Sequence, residues 1–173
     1  MSDARPSIDR VDPAMLREVG LFGGLDDETL GVLCTELPVQ RVHVGTRVVS
    51  EGDPARGMFV VLDGELEVLK RTKTGSEIRV AMLGPGGWFG EMSILDVQPR
   101  SASVRALAPS RVLEMSAESV DRLLYRRDLK AYSLFVMNIA RELSRRLRVA
   151  DGILAQFVGS MAEEYVSKTK SGG

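Results

Sequence analysis

The sequence has little cysteine and no long apolar run. Its single cysteine, Cys34, excludes an internal disulfide and is typical of a reducing compartment. No stretch approaches the roughly 18 apolar residues that a membrane-spanning helix needs. The polar N-terminal segment, residues 1–10, lacks the apolar core of a signal peptide. These absences predict a cytoplasmic protein with no membrane partner.

An excess of charge of one sign is also missing. The 23 Lys and Arg residues are balanced by 24 Asp and Glu residues, for a formal net charge of -1. No global charge therefore draws the protein to nucleic acid or to an anionic membrane. The one histidine, His43, has no partner at helical spacing, so no metal site is expected. With 44% hydrophobic residues, the 173-residue chain can build one domain with a hydrophobic core.

The first zone of the chain, about residues 12–38, carries helix signals. Asp12-Pro13 can begin a short helix, because proline is tolerated at the first helical position. Asp26 can cap a second helix, which Pro38 ends. This zone is predicted to contain two helices.

The second zone, about residues 39–115, carries strand signals. Apolar and polar residues alternate around Val68 and again around Val80. Turn clusters at 51–54, 63–64 and 73–76 separate the apolar stretches. Short strands at this spacing predict an antiparallel sandwich or jelly roll.

The third zone, 116–168, is predicted to be helical. Ser116 or Ser119 can cap a first segment, and a much longer helix follows from about Leu129. Apolar residues three and four positions apart define one stripe on the long helix: Tyr132, Val136, Ile139, Leu143, Leu147, Ala150, Leu154, Phe157 and Met161. Forty helical residues span about 60 Å, more than a small domain needs. We therefore expect the far end to pack on a second copy in a homodimer.

These zones predict a mainly β fold with flanking helices (α+β). The expected architecture is a double-stranded β-helix, or jelly-roll β-roll, with N-terminal helices and a long C-terminal dimerisation helix. The predicted boundaries are a disordered N-terminus over 1–14, the β-roll with its helices over 15–128, the long helix over 129–168 and a disordered tail over 169–173.

One segment, 86–104, carries residues suited to binding chemistry. Gly90 lets the backbone approach a ligand closely and opens a short helical turn, whose N–H groups suit a phosphate. Arg100 offers a planar fork of donors, and Ser101 adds a hydroxyl. Glu91 has no basic residue at helical spacing and is expected to accept from a ligand hydroxyl. The combination suits a small molecule with one phosphate and one sugar hydroxyl.

The segment resembles the phosphate-binding cassette of the cyclic-nucleotide-binding domain family. The matching residues are Phe89-Gly90-Glu91-Met92 and Pro99-Arg100-Ser101-Ala102. Turn signals at 51–53 and 63–65, an entry segment at 21–25 and the helical C-terminal zone extend the resemblance to about residues 15–158. The family includes the catabolite activator protein and the regulatory subunits of cAMP-dependent protein kinase.

The resemblance implies a role for each site residue. Arg100 would pair with the cyclic phosphate, supported by the Ser101 hydroxyl. Glu91 would accept from the ribose 2′-hydroxyl. The remaining implied ligand-binding residues are the backbone N–H groups of Gly90, Glu91, Met92 and Ser93, and the pocket-lining side chains of Val68, Val80 and Leu83.

The resemblance leaves two purine bases open for the cyclic nucleotide, adenine and guanine. In the catabolite activator, two hydroxyl residues on the long helix reach the adenine, and alignment places Ala150 and Asp151 there. The Asp151 carboxylate could accept from adenine or take two bonds from guanine. A hydroxyl directly after the arginine, here Ser101, also occurs in family members that bind cGMP. We favour cAMP, a common bacterial messenger, and keep cGMP as the alternative.

The resemblance implies a non-catalytic sensor that relays nucleotide binding through the hinge, around residues 116–130, to its dimer or to an unknown protein effector. The alternative is a constitutive dimerisation or scaffold module with a vestigial pocket. No nucleophile–base pair lies beside the cassette, so an enzyme is not expected. About twenty residues follow residue 152, too few for the helix-turn-helix domain of the family's transcription factors. The arginines at 141, 145, 146 and 148 are interpreted as a solvated face, and the sequence predicts no DNA partner.

Overall fold

A computed structural model describes residues 11–96 and 98–170, with side chains as far as Ala162. The chain divides into two compact units, one ending at Val136 and the other beginning at Met137. The disorder predicted for 1–14 and 169–173 falls mainly outside the described residues. Within them, residues 13 and 14 already lie in the first helix, and the last helix reaches Lys170.

Two short helices begin the first unit. Helix α1 spans Pro13–Arg17, and the Asp12 carboxylate accepts from the Ala14 N–H at 2.9 Å. A 3-10 turn, Gly20–Phe22, leads to α2, Asp27–Glu36. The Asp26 carboxylate caps α2 by accepting from the Thr29 N–H at 2.8 Å. Both predicted helices are confirmed, and α2 ends before Pro38 because the residue preceding a proline disfavours helical geometry.

Within the described residues, eight strands follow in two four-stranded antiparallel sheets, which confirms the predicted jelly roll. The strands are β1 Val39–Val42, β2 Arg47–Val49, β3 Gly57–Asp63, β4 Leu66–Arg71, β5 Glu77–Leu83, β6 Trp88–Phe89, β7 Ser103–Ala106 and β8 Ser110–Ser116. The first sheet has the order β1-β8-β3-β6 and the second β2-β7-β4-β5. Most neighbouring strands are thus distant in sequence.

Apolar side chains from both sheets form the core of the roll. Its buried members are Val42, Phe59, Val61, Leu66, Phe89, Val104, Ala106 and Val112. The Phe59 and Phe89 rings stack with their centroids 5.1 Å apart. Burying one such side chain stabilises the fold by about 1.5–3 kcal/mol. The core therefore fixes β3 and β6, the two strands that flank the candidate site.

Four further helical elements lie in the part of the chain that the structure describes. They are α3 Met92–Leu95, α4 Ala117–Val120, a π-helical turn Asp121–Tyr125 and α5 Leu129–Lys170. Ser116 caps α4 by accepting from the Ser119 N–H at 3.0 Å. The π-helical turn was not predicted, because apolar residues at 120, 123 and 124 fit an α-helix equally well. The long helix begins at Leu129 as predicted and continues through Gly152 and Gly159. Of the described helices, none is long and apolar enough to cross a membrane.

Candidate functional site

Backbone hydrogen bonds join the first part of the candidate segment, residues 86–89, to β3. Gly86 N–H donates to the Val61 carbonyl at 2.9 Å, and Val61 N–H donates to the Gly87 carbonyl at 2.8 Å. Strand β6 then pairs antiparallel with β3 through Trp88 and Phe89. These bonds place Gly90 at the end of β6, and its φ of +80° turns the chain towards α3. A glycine at this turn avoids the steric cost that a side chain meets at positive φ.

The Gly57 carbonyl, at the start of β3, receives two side chains of the segment. Arg100 donates to it from Nη1 at 2.7 Å. The Ser93 hydroxyl lies 2.9 Å from the same oxygen and 2.7 Å from the Gly90 carbonyl oxygen. The structure therefore brings Gly90, Ser93 and Arg100 together around one backbone acceptor, although Arg100 lies 43 residues from Gly57.

Two glycines allow close approaches here, Gly90 towards Arg100 and Gly57 towards β8. A Cβ atom at Gly90 would overlap Arg100 Nη1 and would lie 3.0 Å from the Gly57 carbonyl oxygen. A Cβ atom at Gly57 would overlap the Met115 carbonyl oxygen. Gly90 is among the predicted site residues, whereas Gly57 is not. The available signal was a glycine opening an apolar strand, which often marks a close backbone approach.

The backbone of Arg100 is held by the turn at 51–54. Arg100 N–H donates to the Asp53 carbonyl at 2.8 Å, and Gly52 N–H donates to the Arg100 carbonyl at 2.9 Å. This turn was predicted only as a break between strands. Its second role is to fix the position from which the Arg100 side chain reaches Gly57.

The Arg100 guanidinium is half-buried over an aromatic ring. Its Cζ lies 5.7 Å from the centroid of Phe59, within the range of a cation–π interaction. Burial lowers the pKa of Arg100 from its ordinary value, although the carboxylates of Glu114 and Asp53 act in the opposite direction. An arginine remains protonated in such surroundings. The site therefore holds a fixed, partly desolvated positive charge, which suits an anion.

The other cassette residues differ in exposure. Glu91, directly after Gly90, is only 3% exposed. Met92 is exposed, and the Ser93 N–H donates to the Gly90 carbonyl at 3.1 Å. Ser101 is exposed, and its carbonyl accepts from Lys70 Nζ. The site therefore combines a buried carboxylate with the half-buried guanidinium of Arg100.

The residues predicted to line the pocket and to contact the base lie on several different elements. Val68 and Leu83 pack against the core of the roll. Val80 lies on β5 and is 53% exposed. Asp151 is exposed on α5, in the second unit. The ligand contacts of all these residues stay predictions.

The chain was compared with protein families and solved structures. It matches the cyclic nucleotide-binding domain over residues 39–127, which is just over half of its length. The chain belongs to this family. The matched range contains all eight strands of the cyclic nucleotide-binding roll and every predicted site residue except Asp151.

Similar proteins include regulators and one enzyme. The CRP-like cAMP-activated global transcriptional regulator of Mycobacterium tuberculosis is 28% identical over 89% of this chain and 66% of that protein. Glutaminase 2 of Bradyrhizobium diazoefficiens is 36% identical over 79% of this chain and 21% of that protein. The crystal structure of the Thermus thermophilus catabolite activator protein superposes with a TM-score of 0.71, at 32% identity over 80% of this chain and 62% of that one. The chain thus spans no more than about two thirds of these relatives.

The prediction that DNA is not a partner is wrong. The chain is similar to a global transcriptional regulator across most of its length, so membership of this family gives no ground for excluding DNA. The prediction rested on a net charge of -1 and on the interpretation of the helix arginines as a solvated face. Arg145 and Arg146 do contact Glu142, at 2.7 and 2.8 Å. Those charges describe only this chain, which spans 66% of the regulator.

Proposed function

We propose that the protein senses a cyclic purine nucleotide, with cAMP as the favoured ligand, and has no catalytic activity of its own. The observation that carries the proposal is the Arg100 guanidinium, fixed at the Gly57 carbonyl and packed against Gly90. A planar, partly desolvated guanidinium suits the exocyclic oxygens of a cyclic phosphate. The buried Glu91 carboxylate would accept from the ribose 2′-hydroxyl.

The other contacts follow the same assignment. The backbone N–H groups around Gly90, Glu91, Met92 and Ser93 and the Ser101 hydroxyl would support the phosphate. Val68, Val80 and Leu83 would line the sugar and base pocket, and Asp151 would contact the base. The name of one relative, a cAMP-activated regulator, favours cAMP. A carboxylate can also accept two hydrogen bonds from guanine, so cGMP is the alternative ligand to compare with cAMP.

We also propose how binding is relayed. Residues 15–128 form the nucleotide-binding part, and residues 129–168 pair with a second copy in a cytoplasmic homodimer that engages a protein effector. The ligand can shift this arrangement only by binding one state more tightly than another. The chain matches about a fifth of a glutaminase, but we assign a sensing role to the roll itself.

The test is isothermal titration with cAMP and with cGMP, using 5′-AMP to ask whether the cyclic phosphate is required. We expect micromolar binding of cAMP, weakened more than about tenfold, or 1.4 kcal/mol, in Arg100→Ala. Arg111→Ala is the matched control, because Arg111 is also partly buried but pairs with Asp63. It should bind within about twofold of wild type.

The opposite result has a definite meaning. Absence of heat with either cyclic nucleotide, in a protein shown to be folded, would overturn the sensor proposal. A constitutive dimerisation module with a vestigial pocket would then be the better account. Tighter binding of cGMP than of cAMP would leave the sensor role intact and reassign the base.

A further inference from the structure

The Ser93 hydroxyl lies between two backbone carbonyls of different elements. Its oxygen is 2.7 Å from the Gly90 carbonyl oxygen and 2.9 Å from that of Gly57. Gly90 belongs to the turn before α3, whereas Gly57 opens β3. A serine hydroxyl carries a single proton, so these two acceptors share one donor. The hydroxyl therefore ties the cassette turn to β3.

This tie lies directly beside the Arg100 guanidinium. Arg100 Nη1 donates to the same Gly57 carbonyl at 2.7 Å. On its other side, the guanidinium is close enough to Gly90 to exclude a Cβ atom there. Arg100 Nη1 thus lies against both the Gly57 carbonyl oxygen and the Gly90 backbone, the two segments that the Ser93 hydroxyl also contacts.

We propose that the Ser93 side chain is a positioning residue for Arg100, holding the guanidinium in its phosphate-binding orientation before the nucleotide arrives. This inference rests on the proposed function of Arg100 and assigns the Ser93 hydroxyl a task separate from its backbone. Ordering a long, flexible side chain in advance removes part of the entropic cost of binding. Loss of the hydroxyl should therefore cost nucleotide affinity without removing any group that touches the ligand.

Two substitutions at Ser93 separate the hydroxyl from the backbone. Ser93→Ala removes it, and we expect cAMP to bind about fivefold more weakly, the effect of one ordinary hydrogen bond. Ser93→Thr keeps it, because a helical threonine can still direct its hydroxyl to the carbonyl three residues earlier. The threonine variant should return to within about twofold of wild type.

Ser110→Ala is the matched control. The Ser110 hydroxyl also bonds two backbone groups, donating to the Ala108 carbonyl at 2.8 Å and accepting from the Glu65 N–H at 3.2 Å. It lies outside both the cassette and the proposed hinge. A general cost of removing such a hydroxyl would appear in both alanine variants, whereas the loss of nucleotide affinity should appear only in Ser93→Ala.

A double-mutant cycle tests whether Ser93 acts through Arg100. In an Arg100→Lys background, which lacks the planar fork, Ser93→Ala should weaken binding by less than about twofold. The inference is wrong if Ser93→Ala binds like wild type, if threonine fails to rescue it, or if the two substitutions are additive.

A measurement on the ligand-free protein keeps this inference separate from the proposed function. Nitrogen NMR of the arginine side chains should show slow rotation of the Arg100 guanidinium in wild type and in Ser93→Thr, and faster rotation in Ser93→Ala. If wild type binds no nucleotide, the sensor proposal fails. The comparison of guanidinium rotation rates then tests the positioning role of Ser93 by itself. Equal rotation in all three proteins would overturn the positioning role.

Discussion

At the scale of single residues, the site depends on how closely two backbone segments approach a guanidinium. Gly90 has a φ of +80°, and a Cβ atom at this position would overlap Arg100 Nη1. Gly75 has a similar φ of +87°, but open space surrounds the position of its absent Cβ. The two glycines therefore share a conformation and differ in what a side chain would meet.

We expect Gly90→Ala to weaken cAMP binding by more than about tenfold, because the new methyl group must displace Arg100. Gly75→Ala should bind like wild type. In both variants a side chain at positive φ destabilises the fold by about 1 kcal/mol. Urea unfolding should therefore show a comparable loss of stability from this strain. Normal nucleotide affinity of Gly90→Ala would contradict the described position of Arg100.

The sequence identified some of these residues and not others. Gly90, Glu91 and Arg100 lie in one short segment whose residue types suggest their chemistry. Gly57 and Phe59 lie more than 40 residues from Arg100, and only the fold brings them together. No local pattern reports a contact that depends on the pairing of β3 with β6.

At the scale of elements, the helix caps connect local sequence to stability. The Asp26 carboxylate accepts from the backbone N–H of Thr29 at 2.8 Å. This bond, together with the Thr29 side chain, holds the pKa of Asp26 below its ordinary value of 3.8. The ionised form is therefore favoured in the folded state.

The sign of the pH dependence follows from this shift. The contribution of Asp26 is fully present above the pKa it has in the unfolded chain and is lost as the pH falls through its lower folded value. We expect wild type to lose more stability than Asp26→Asn between about pH 6 and about pH 3, since asparagine can cap α2 without titrating. Urea midpoints at the two pH values measure the difference, and parallel losses would contradict it.

The elements themselves were largely predictable, and their pairing was not. Alternation along β4 and β5 and the turn signals between strands indicated an antiparallel roll. The pairing of β1 with β8, through Val39 and Leu113, leaves no trace in a local window. The two-residue strand β6 is too short for any periodicity, and it forms because β3 offers it partners.

At the scale of the whole molecule, the second unit carries exposed apolar side chains on α5. Leu147, Leu154, Phe157 and Met161 are all at least 57% exposed. They occupy helical spacing on one stripe, which is typical of a helix that packs on another. The proposed homodimer gives this stripe its partner.

We expect wild type to sediment with twice the 18.9 kDa mass of one chain. Replacing Leu154 and Phe157 together by glutamate should yield monomers, because burying two carboxylates in an apolar interface is strongly unfavourable. Gln156→Glu places one such charge beside the stripe and should remain dimeric. Sedimentation equilibrium distinguishes these outcomes, and a monomeric wild type at micromolar concentration would contradict the dimer.

The strand order described above also governs when the roll can form. On the ribosome, Val39 emerges 74 residues before its partner Leu113. At about 5–20 residues per second, that interval lasts roughly 4–15 seconds. Among the strands of the described residues, β4 and β5 are the one consecutive pair joined to each other, so this pair can form a hairpin early. Strands β1 and β2 therefore lack their partner strands until β8 and β7 have been synthesised.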